Sequence, residues 1–561
     1  MFLTFLNYFP SKYTPRDMQV KIINEIETAI KEKKFKKILI CAPTGSGKSH
    51  ITATIAKAFE SSITITAQKI LQDQYTEDFP WIHPMKGKGN FPCLSLYDSQ
   101  KISYDEALKD KSLTCNNGNC SWIIKKNGKN RIEFCEYHSD ITQFEVKDQG
   151  TENEKVNSPK DKCYYYNQKF SALFSSHSIF NFYSFFQTKL FNSGYENLLE
   201  KSCLIVDEAH EIEDQIINFL EIKITKYYLD EVNFKFSDYD LKGNEEIIDF
   251  LEQLGSAYQK KISEMGDSNQ EDSRISSLKN KLQKIDSIAI QIKEDSENFV
   301  VDIMKNIKTN EIDGISITPL QISNYVESFF DYPIQIFLSA TMNKEMFCQT
   351  MGFLEEDCYF IEIEKSPFPL ANRRVEFLDI TSLSNKPPKS EWLKIYQKIH
   401  EIMSQFHDKR GLILTSSKIQ CKEIFTNMPE DASLRLSILH SSIEDKKEEV
   451  LREHEEMDTD VLLSPSLWYG VDLKDELSRF QIIVKTPFPF LGDRRTKIKK
   501  MKNPLWYNYK TLVKLLQGFG RSTRNKNDFA VTYVLDSDAK KLLNSMKKYV
   551  PSSYYDILDW E

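Results

Sequence analysis

The stretch Ala42-Pro43-Thr44-Gly45-Ser46-Gly47-Lys48-Ser49 constrains this chain more than any other. Before it, Lys37-Ile38-Leu39-Ile40-Cys41 is a short apolar, β-branched run between polar flanks, the pattern of a buried strand. After it, Ile51, Ile55, Ala56 and Phe59 recur at helical spacing. Strand, tight Gly-rich turn, Lys-Ser and helix together make a P-loop. Gly45 and Gly47 let the backbone turn its N–H groups onto phosphate at the positive end of the new helix. Lys48 is expected to reach the β- and γ-phosphates and Ser49 to hold Mg²⁺. The first glycine of the usual pattern is here Ala42, small enough for the same turn. The sequence therefore implies a nucleoside triphosphate with Mg²⁺.

A chain of 561 residues is too long for one hydrophobic core, and three or four domains are expected. A net charge of −8 gives no basic signature, so a nucleic-acid partner would be held in a local groove rather than by the bulk field. The apolar N-terminus lacks a basic region and a cleavage site, and no run reaches the length of a membrane span. A soluble, intracellular (cytoplasmic) protein without a membrane partner is the expectation. Five of the ten cysteines fall between Cys93 and Cys163, and in a reducing compartment such a cluster favours metal over disulfides.

Tyr13-Thr14-Pro15-Arg16-Asp17-Met18-Gln19 precedes an amphipathic helix expected from about Val20 to Glu32. Its Gln19 amide, with Arg16 beside it, would suit the donor and acceptor edges of adenine. Residues 86–170 are Gly- and Lys-rich, Cys-bearing and poorly periodic, and residues 212–330 read as a mostly helical, charged insertion. Ser366-Pro367-Phe368-Pro369 reads as a hinge into a second α/β unit with strands at 411–415, 461–464, 480–485 and 530–535.

Cys203-Leu204-Ile205-Val206 followed by Asp207-Glu208 has the form of a Walker B edge. Asp207 would bind Mg²⁺ and Glu208 would orient or deprotonate the attacking water. Two adjacent carboxylates ending a buried strand are costly unless a cation pairs them. His210 would couple this site to Ser339-Ala340-Thr341, whose hydroxyls change partners with nucleotide state. In the second unit, Arg521 and Arg524 lie three apart on an expected helix from near Tyr509, and so on one face. Across a cleft from the P-loop they would act as arginine fingers; otherwise they are ordinary surface arginines. Gly470-Val471-Asp472 would be the companion loop, with Asp472 sensing nucleotide.

The ordered set APTGSGKS, DEAH, LSAT, GVD and QGFGRSTR resembles a superfamily 2 helicase with two RecA-like motor domains. The Cys-rich insertion before DEAH and the helical insertion after it resemble the XPD/DinG branch. The resemblance implies an α/β fold: motor domain 1 from 1–85, 171–211 and 331–365, an iron–sulfur domain at 86–170, an arch-like insertion at 212–330, and motor domain 2 at 366–561. It adds Gly470, Asp472 and Gln517 to the nucleotide site. It also implies a 4Fe–4S cluster on four of Cys93, Cys115, Cys120, Cys135 and Cys163, with zinc as the other metal. Cys93 and Cys163 match on their flanks. For the middle pair a DinG-like reading takes Cys115 with Cys120, and an XPD-like reading, slightly preferred, takes Cys120 or Cys115 with Cys135. The implied activity is ATP-driven 5′→3′ movement on single-stranded DNA and unwinding of forked duplex by a monomer. DNA would be gripped near Thr66, Asn181 and Tyr183 and near Thr415, Ser416 and Ser464. A clamp or translocase that does not unwind and an RNA-directed helicase are the alternatives.

Overall fold

The computed structural model describes residues 4–67, 69–96, 113–118, 120–126, 129–138, 144–149, 154–157, 162–191, 199–239, 241, 243–266, 273–306, 309, 311–383, 387–439, 447–468, 473–523, 525–558 and 560. The chain opens with helix α1 (Asp17–Lys31), strand β1 (Lys37–Cys41), helix α2 (Lys48–Ala58), β2 (Ser62–Thr66) and β3 (His83–Met85). Two hairpins follow, β4 (Ser121–Lys126) with β5 (Lys129–Phe134) and β6 (Glu145–Lys147) with β7 (Lys155–Asn157), then helix α3 (Tyr164–Phe174). Next come β8 (His177–Asn181), β9 (Cys203–Val206) and α4 (Ile212–Leu220). A second insertion holds β10 (Ile222–Thr225), the helices α5 (Asn244–Gly266) and α6 (Ser273–Glu294), β11 (Phe299–Lys305) and β12 (Ile312–Pro319). β13 (Ile334–Ser339) and β14 (Cys358–Glu362) return to the first sheet, whose seven parallel strands run β14-β1-β13-β9-β2-β8-β3.

Parallel strands are covered on both faces, which is why β1 and β9 are near-continuous apolar runs and why even the Ser62, Thr64 and Thr66 side chains of β2 are buried. One face packs Leu39, Ile65, Phe180 and Phe337, and the other packs Ile22, Ile26, Ile40 and Ile51 from α1, β1 and α2. The second sheet is also all parallel: β15 (Arg373–Thr381), β16 (Gly411–Leu414), β17 (Leu436–Ile438), β18 (Val461–Ser464), β19 (Phe480–Ile483) and β20 (Ala530–Asp536) lie in the order β15-β20-β19-β16-β18-β17. Helices α7 (Arg494–Lys502) and α8 (Pro504–Phe519) connect β19 to β20. Two RecA-like sheets are therefore present, as expected.

Three features differ from the sequence reading. The second insertion carries a three-stranded antiparallel sheet, β10-β12-β11, on which α5 and α6 close an apolar core of Phe250, Leu254, Tyr258, Ile285 and Ile315. Strands β15 and β17 were not foreseen, since β15 is a half-buried edge strand bearing Arg373, Arg374 and Glu376, and β17 is three residues long. The helix near Tyr509 begins at Pro504, N-capped by the Asn503 side chain, and stops at Phe519. Arg521 thus lies beyond the helix end, in the turn after Gly520, and the shared-face argument for Arg521 and Arg524 does not hold.

Candidate functional site

β1 ends at Cys41, and the next six residues turn the chain into α2. The Ala42 N–H still donates to the Ser339 carbonyl at 3.0 Å, fixing the loop's root to β13. Gly45 and Gly47 take φ values of +81° and +75°, where a side chain is strained. Gly47 caps α2, so Lys48 and Ser49 sit in its first turn, where N–H groups face an anion. Arg16 Nη1 donates to the Gly45 carbonyl at 2.8 Å, and Gln19 Nε2 to the Gly47 carbonyl at 3.4 Å. Gln19 Oε1 accepts the Arg16 N–H at 2.9 Å. One donor and one lone pair of the buried Gln19 amide are thus engaged in bracing the P-loop.

The two carboxylates diverge at the end of β9. Asp207 is buried, with Oδ2 accepting from the Tyr75 hydroxyl at 3.1 Å and Oδ1 from the Glu208 N–H at 3.0 Å. Burial and then the Glu208 charge push its carboxyl up to about 6, against the pull of Lys48 and Tyr75. Glu208 adopts a left-handed backbone conformation at φ +55°, rare for a residue with a side chain, which turns its carboxylate toward the P-loop. Its Oε1 lies 3.7 Å from Lys48 Nζ and its Oε2 3.4 Å from His210 Nδ1. His210 is driven down to about 4 by burial, with Lys510 and Lys48 adding to the effect, so the imidazole is neutral at physiological pH. Tyr75, on the helix Lys69–Asp78, was missed by sequence reasoning, because an aromatic at helical spacing reads as core.

A chain of hydrogen bonds leads from this site to the second sheet. His210 Nδ1 is 3.1 Å from Ser339 Oγ, which accepts the Thr341 N–H at 3.2 Å. Gln517 Nε2 donates to Thr341 Oγ1 at 3.1 Å, and the Tyr509 hydroxyl donates to the Thr341 carbonyl at 3.3 Å. Ser339, Ala340, Thr341 and Gln517 are all buried. At the end of α8, a Cβ on Gly520 would lie 3.3 Å from Thr44 Oγ1, so the turn bearing Arg521 abuts the P-loop. Arg521 is itself buried. Phe368 packs its ring directly on Gly45, leaving no room there for a side chain. Arg524, Gly470 and Asp472 lie outside the described residues.

The expected strand contacts are less uniform. Thr66, Thr415 and Ser464 are fully buried at strand ends, with Thr415 Oγ1 against Cys421 Sγ at 3.0 Å and Ser464 Oγ accepting from the Ser466 and Leu467 N–H groups. Thr415 and Ser464 hold loops at the carboxyl edge of the second sheet, whereas the Thr66 hydroxyl is buried without a hydrogen-bond partner. Asn181 accepts the Ser184 N–H at 2.8 Å and caps the next helix. Ser416 is exposed, and Tyr183 is 61% exposed on the helix Phe182–Phe191.

Among the described residues no three His, Cys, Asp or Glu side chains are gathered as a metal-binding group, and all ten cysteines are free. Four thiols nevertheless act on one another. Cys115 donates to Cys163 and feels the charges of Cys163, Cys93 and Cys120. Cys163, at the N-terminus of α3, is lowered to about 6 by the Cys115 hydrogen bond, against burial and with help from the Tyr166 and Tyr165 N–H groups and Lys88. A Cβ at Gly118 would collide with Cys93 Sγ, and Lys88 Nζ lies 3.9 Å from Cys120 Sγ. Cys135 touches this group through its backbone, its N–H donating to the Cys120 carbonyl at 3.0 Å. Cys93, Cys115, Cys120 and Cys163 are thus the four whose thiols act on one another, while Cys135 meets them through its backbone.

Two family models match the chain: a helicase C-terminal domain over residues 399–554 and the res subunit of type III restriction enzymes over residues 12–237. No curated protein matches it. Among solved structures an XPD helicase is 16% identical, with 95% of this chain and 98% of that one covered and a TM-score of 0.58. An XPD structure in its apo form is 15% identical over 95% and 98%, at a TM-score of 0.53. Xpd4 of S. tokodaii is 13% identical over 96% and 99%, also at 0.53. At such identities the likeness speaks for the fold.

Proposed function

We propose, from the premise that the chain is an ATP-hydrolysing superfamily 2 helicase of the XPD/DinG type, that it moves 5′→3′ on single-stranded DNA and opens forked duplex ahead of it. The observation that carries the reading is the buried relay from Glu208 and His210 through Ser339 and Thr341 to Gln517. It ties the hydrolytic carboxylate to the helix of the second sheet whose end abuts the P-loop. Such a seam lets nucleotide occupancy set the distance between two strand-gripping bodies.

In the conformation described, Lys48 leans toward Glu208. Phosphates entering the loop would draw the Lys48 ammonium to themselves and release the Glu208 carboxylate to orient water. Ser49 and Asp207 would hold Mg²⁺, which supplies charge neutralisation at the phosphates. Arg521, in the turn against Thr44, would stabilise charge that develops during transfer. Loss of the γ-phosphate returns Lys48 to Glu208, and the His210 imidazole with the Ser339 and Thr341 hydroxyls carries the change to α8. Tyr183 is an exposed face on which a base can stack, and phosphate contacts elsewhere would grip without reading sequence.

Cys93, Cys115, Cys120 and Cys163 would hold a 4Fe–4S cluster, a choice supported by their mutual thiol interactions and by the glycine at 118 that leaves space beside Cys93. When bound, the cluster supplies a rigid cross-link between the 91–120 segment and the start of α3.

The test measures ATPase with single-stranded DNA, duplex DNA and RNA, then unwinding of forks tailed on the 5′ or the 3′ strand. Stimulation by single-stranded DNA and unwinding of 5′-tailed forks alone are expected. Glu208→Gln should keep ATP binding and lose turnover by about 10²-fold or more, the scale of a lost general base. Equal stimulation by RNA, or movement on a single strand with every fork left intact, would refute the DNA-unwinding reading.

A further inference from the structure

Glu213 lies on α4, five residues past Glu208, and is 4% exposed. Among the described residues, the polar side chains that meet its carboxylate come from α7 and α8, the helices between β19 and β20. Arg495 Nη2 donates to Oε1 at 3.1 Å and Trp506 Nε1 to Oε2 at 2.9 Å; Lys499 Nζ also donates to Oε1. Lys510 Nζ stands 3.6 Å from Oε2 and 2.7 Å from Oδ2 of the half-exposed Asp214. Arg495 extends the joint to the second insertion, donating through Nε to the Pro319 carbonyl at 2.9 Å and through Nη2 to that of Leu320 at 3.1 Å. Arg494 Nη1 reaches the Val301 carbonyl at 2.7 Å. One carboxylate thus joins three bodies: the strand end that carries DEAH, the root of the insertion, and the helix pair ahead of Arg521.

The charge count is lopsided. Three cations share one buried anion and a second, half-exposed one. Burial alone would raise the Glu213 carboxyl, but Lys499, Lys510 and Arg495 outweigh it and hold it well below the carboxylate range. Lys499 is lowered by burial and by the repulsion of Arg495 and Lys510, even with Glu213 in contact. An apolar patch would glue two surfaces at least as well, since desolvating ions costs much of what their attraction returns. What an ion joint adds is a fixed angle. α8 is sixteen residues long, about 24 Å, and runs from Trp506 at the joint past Tyr509 and Gln517 at Thr341 to the turn bearing Arg521. A helix held at one end by Glu213 carries any rotation there to the arginine at the other.

We propose that Glu213 is a positioning residue for hydrolysis: it fixes the pivot of α8 and thereby sets Arg521 against the P-loop. This rests on Arg521 being the arginine that meets developing charge. Glu213→Gln keeps shape and one acceptor for Trp506 but leaves three cations facing one another. With single-stranded DNA present, its kcat should fall roughly tenfold, within the range of coupling between sites, while KM for ATP stays within about threefold. Affinity for ADP–aluminium fluoride, which mimics the transition state, should fall by a similar factor, and affinity for a non-hydrolysable ATP analogue should hold. A merely structural loss would lower the folded fraction and leave the ratio of the two affinities unchanged. Should Glu213→Gln fail to fold, Lys499→Met takes its place with a smaller shift in the same direction. Arg521→Ala is run beside it. Mimic binding lost in Arg521→Ala but kept in Glu213→Gln overturns the joint; the reverse faults the reading of Arg521 and leaves the joint standing.

Discussion

The Glu208 backbone is turned left-handed at the end of a buried strand, a conformation that a residue with a side chain keeps only when its surroundings enforce it. Lys48 on one side and His210 on the other do so here. Another buried residue of this sheet answers to pH. His177, on β8, sits against Ser62 Oγ at 3.0 Å and the Trp81 ring at 5.1 Å, 4% exposed. Burial first, and then the Lys57 charge, lower it to about 3 from the usual 6.5. The neutral ring therefore stabilises the fold fully above pH 6.5. Between 6.5 and 3 the unfolded chain takes up a proton that the folded one refuses, so stability falls by about 1.4 kcal/mol per pH unit. His177→Gln should remove one proton's worth of that slope, as read by urea unfolding at pH 4 to 6; an unchanged slope would place the proton elsewhere. At this scale the P-loop and DEAH residues were legible because their chemistry is local in sequence. Tyr75 and the bracing role of Gln19 were not, since each is defined by a partner far along the chain.

Among the elements, fully buried apolar strands announced themselves and edges did not. β1, β9 and β18 are buried on every side and read directly, whereas β15 mixes charge with half-buried positions. The end of α8 was misplaced because the Gly518-Phe519-Gly520 break lies inside an apparently continuous motif. The described residues of the Cys-bearing insertion include two short hairpins between β3 and α3. Gly118→Val should drive the Cys93 sulfur aside and lower iron from about four atoms per chain in anaerobic preparations. Cys163→Ser should do the same, and Cys135→Ser should leave iron content unchanged. Iron lost in Cys135→Ser and kept in Cys115→Ser would return the ligand set to the alternative pairing.

At the scale of the molecule, the first sheet is assembled from distant pieces. β1 pairs on one side with β13, Leu39 opposite Phe337, and on the other with β14, Leu39 opposite Phe360. A chain ending at residue 330 lacks both neighbours of the P-loop strand, whereas one ending at residue 365 has both. The shorter piece should fail to bind a fluorescent ATP analogue and be cut within β1 by dilute protease; the longer one should bind and leave β1, β13 and β14 uncut. Equal behaviour of the two would mean that β1 needs neither partner.

That strand order also sets a clock on the ribosome. At about 5–20 residues per second, the interval between synthesis of Cys41 and of Glu362 is roughly 16 to 64 s. Until β13 is made Ile38, Leu39 and Ile40 have no partner on either side, and until β14 follows they still lack one. Both insertions are translated inside this interval, so the nascent P-loop strand must be shielded by chaperones or wait in a collapsed state while two other substructures come out behind it. Codon usage and chaperone supply over residues 42–334 would then govern the yield of active protein more than any feature of the finished nucleotide site.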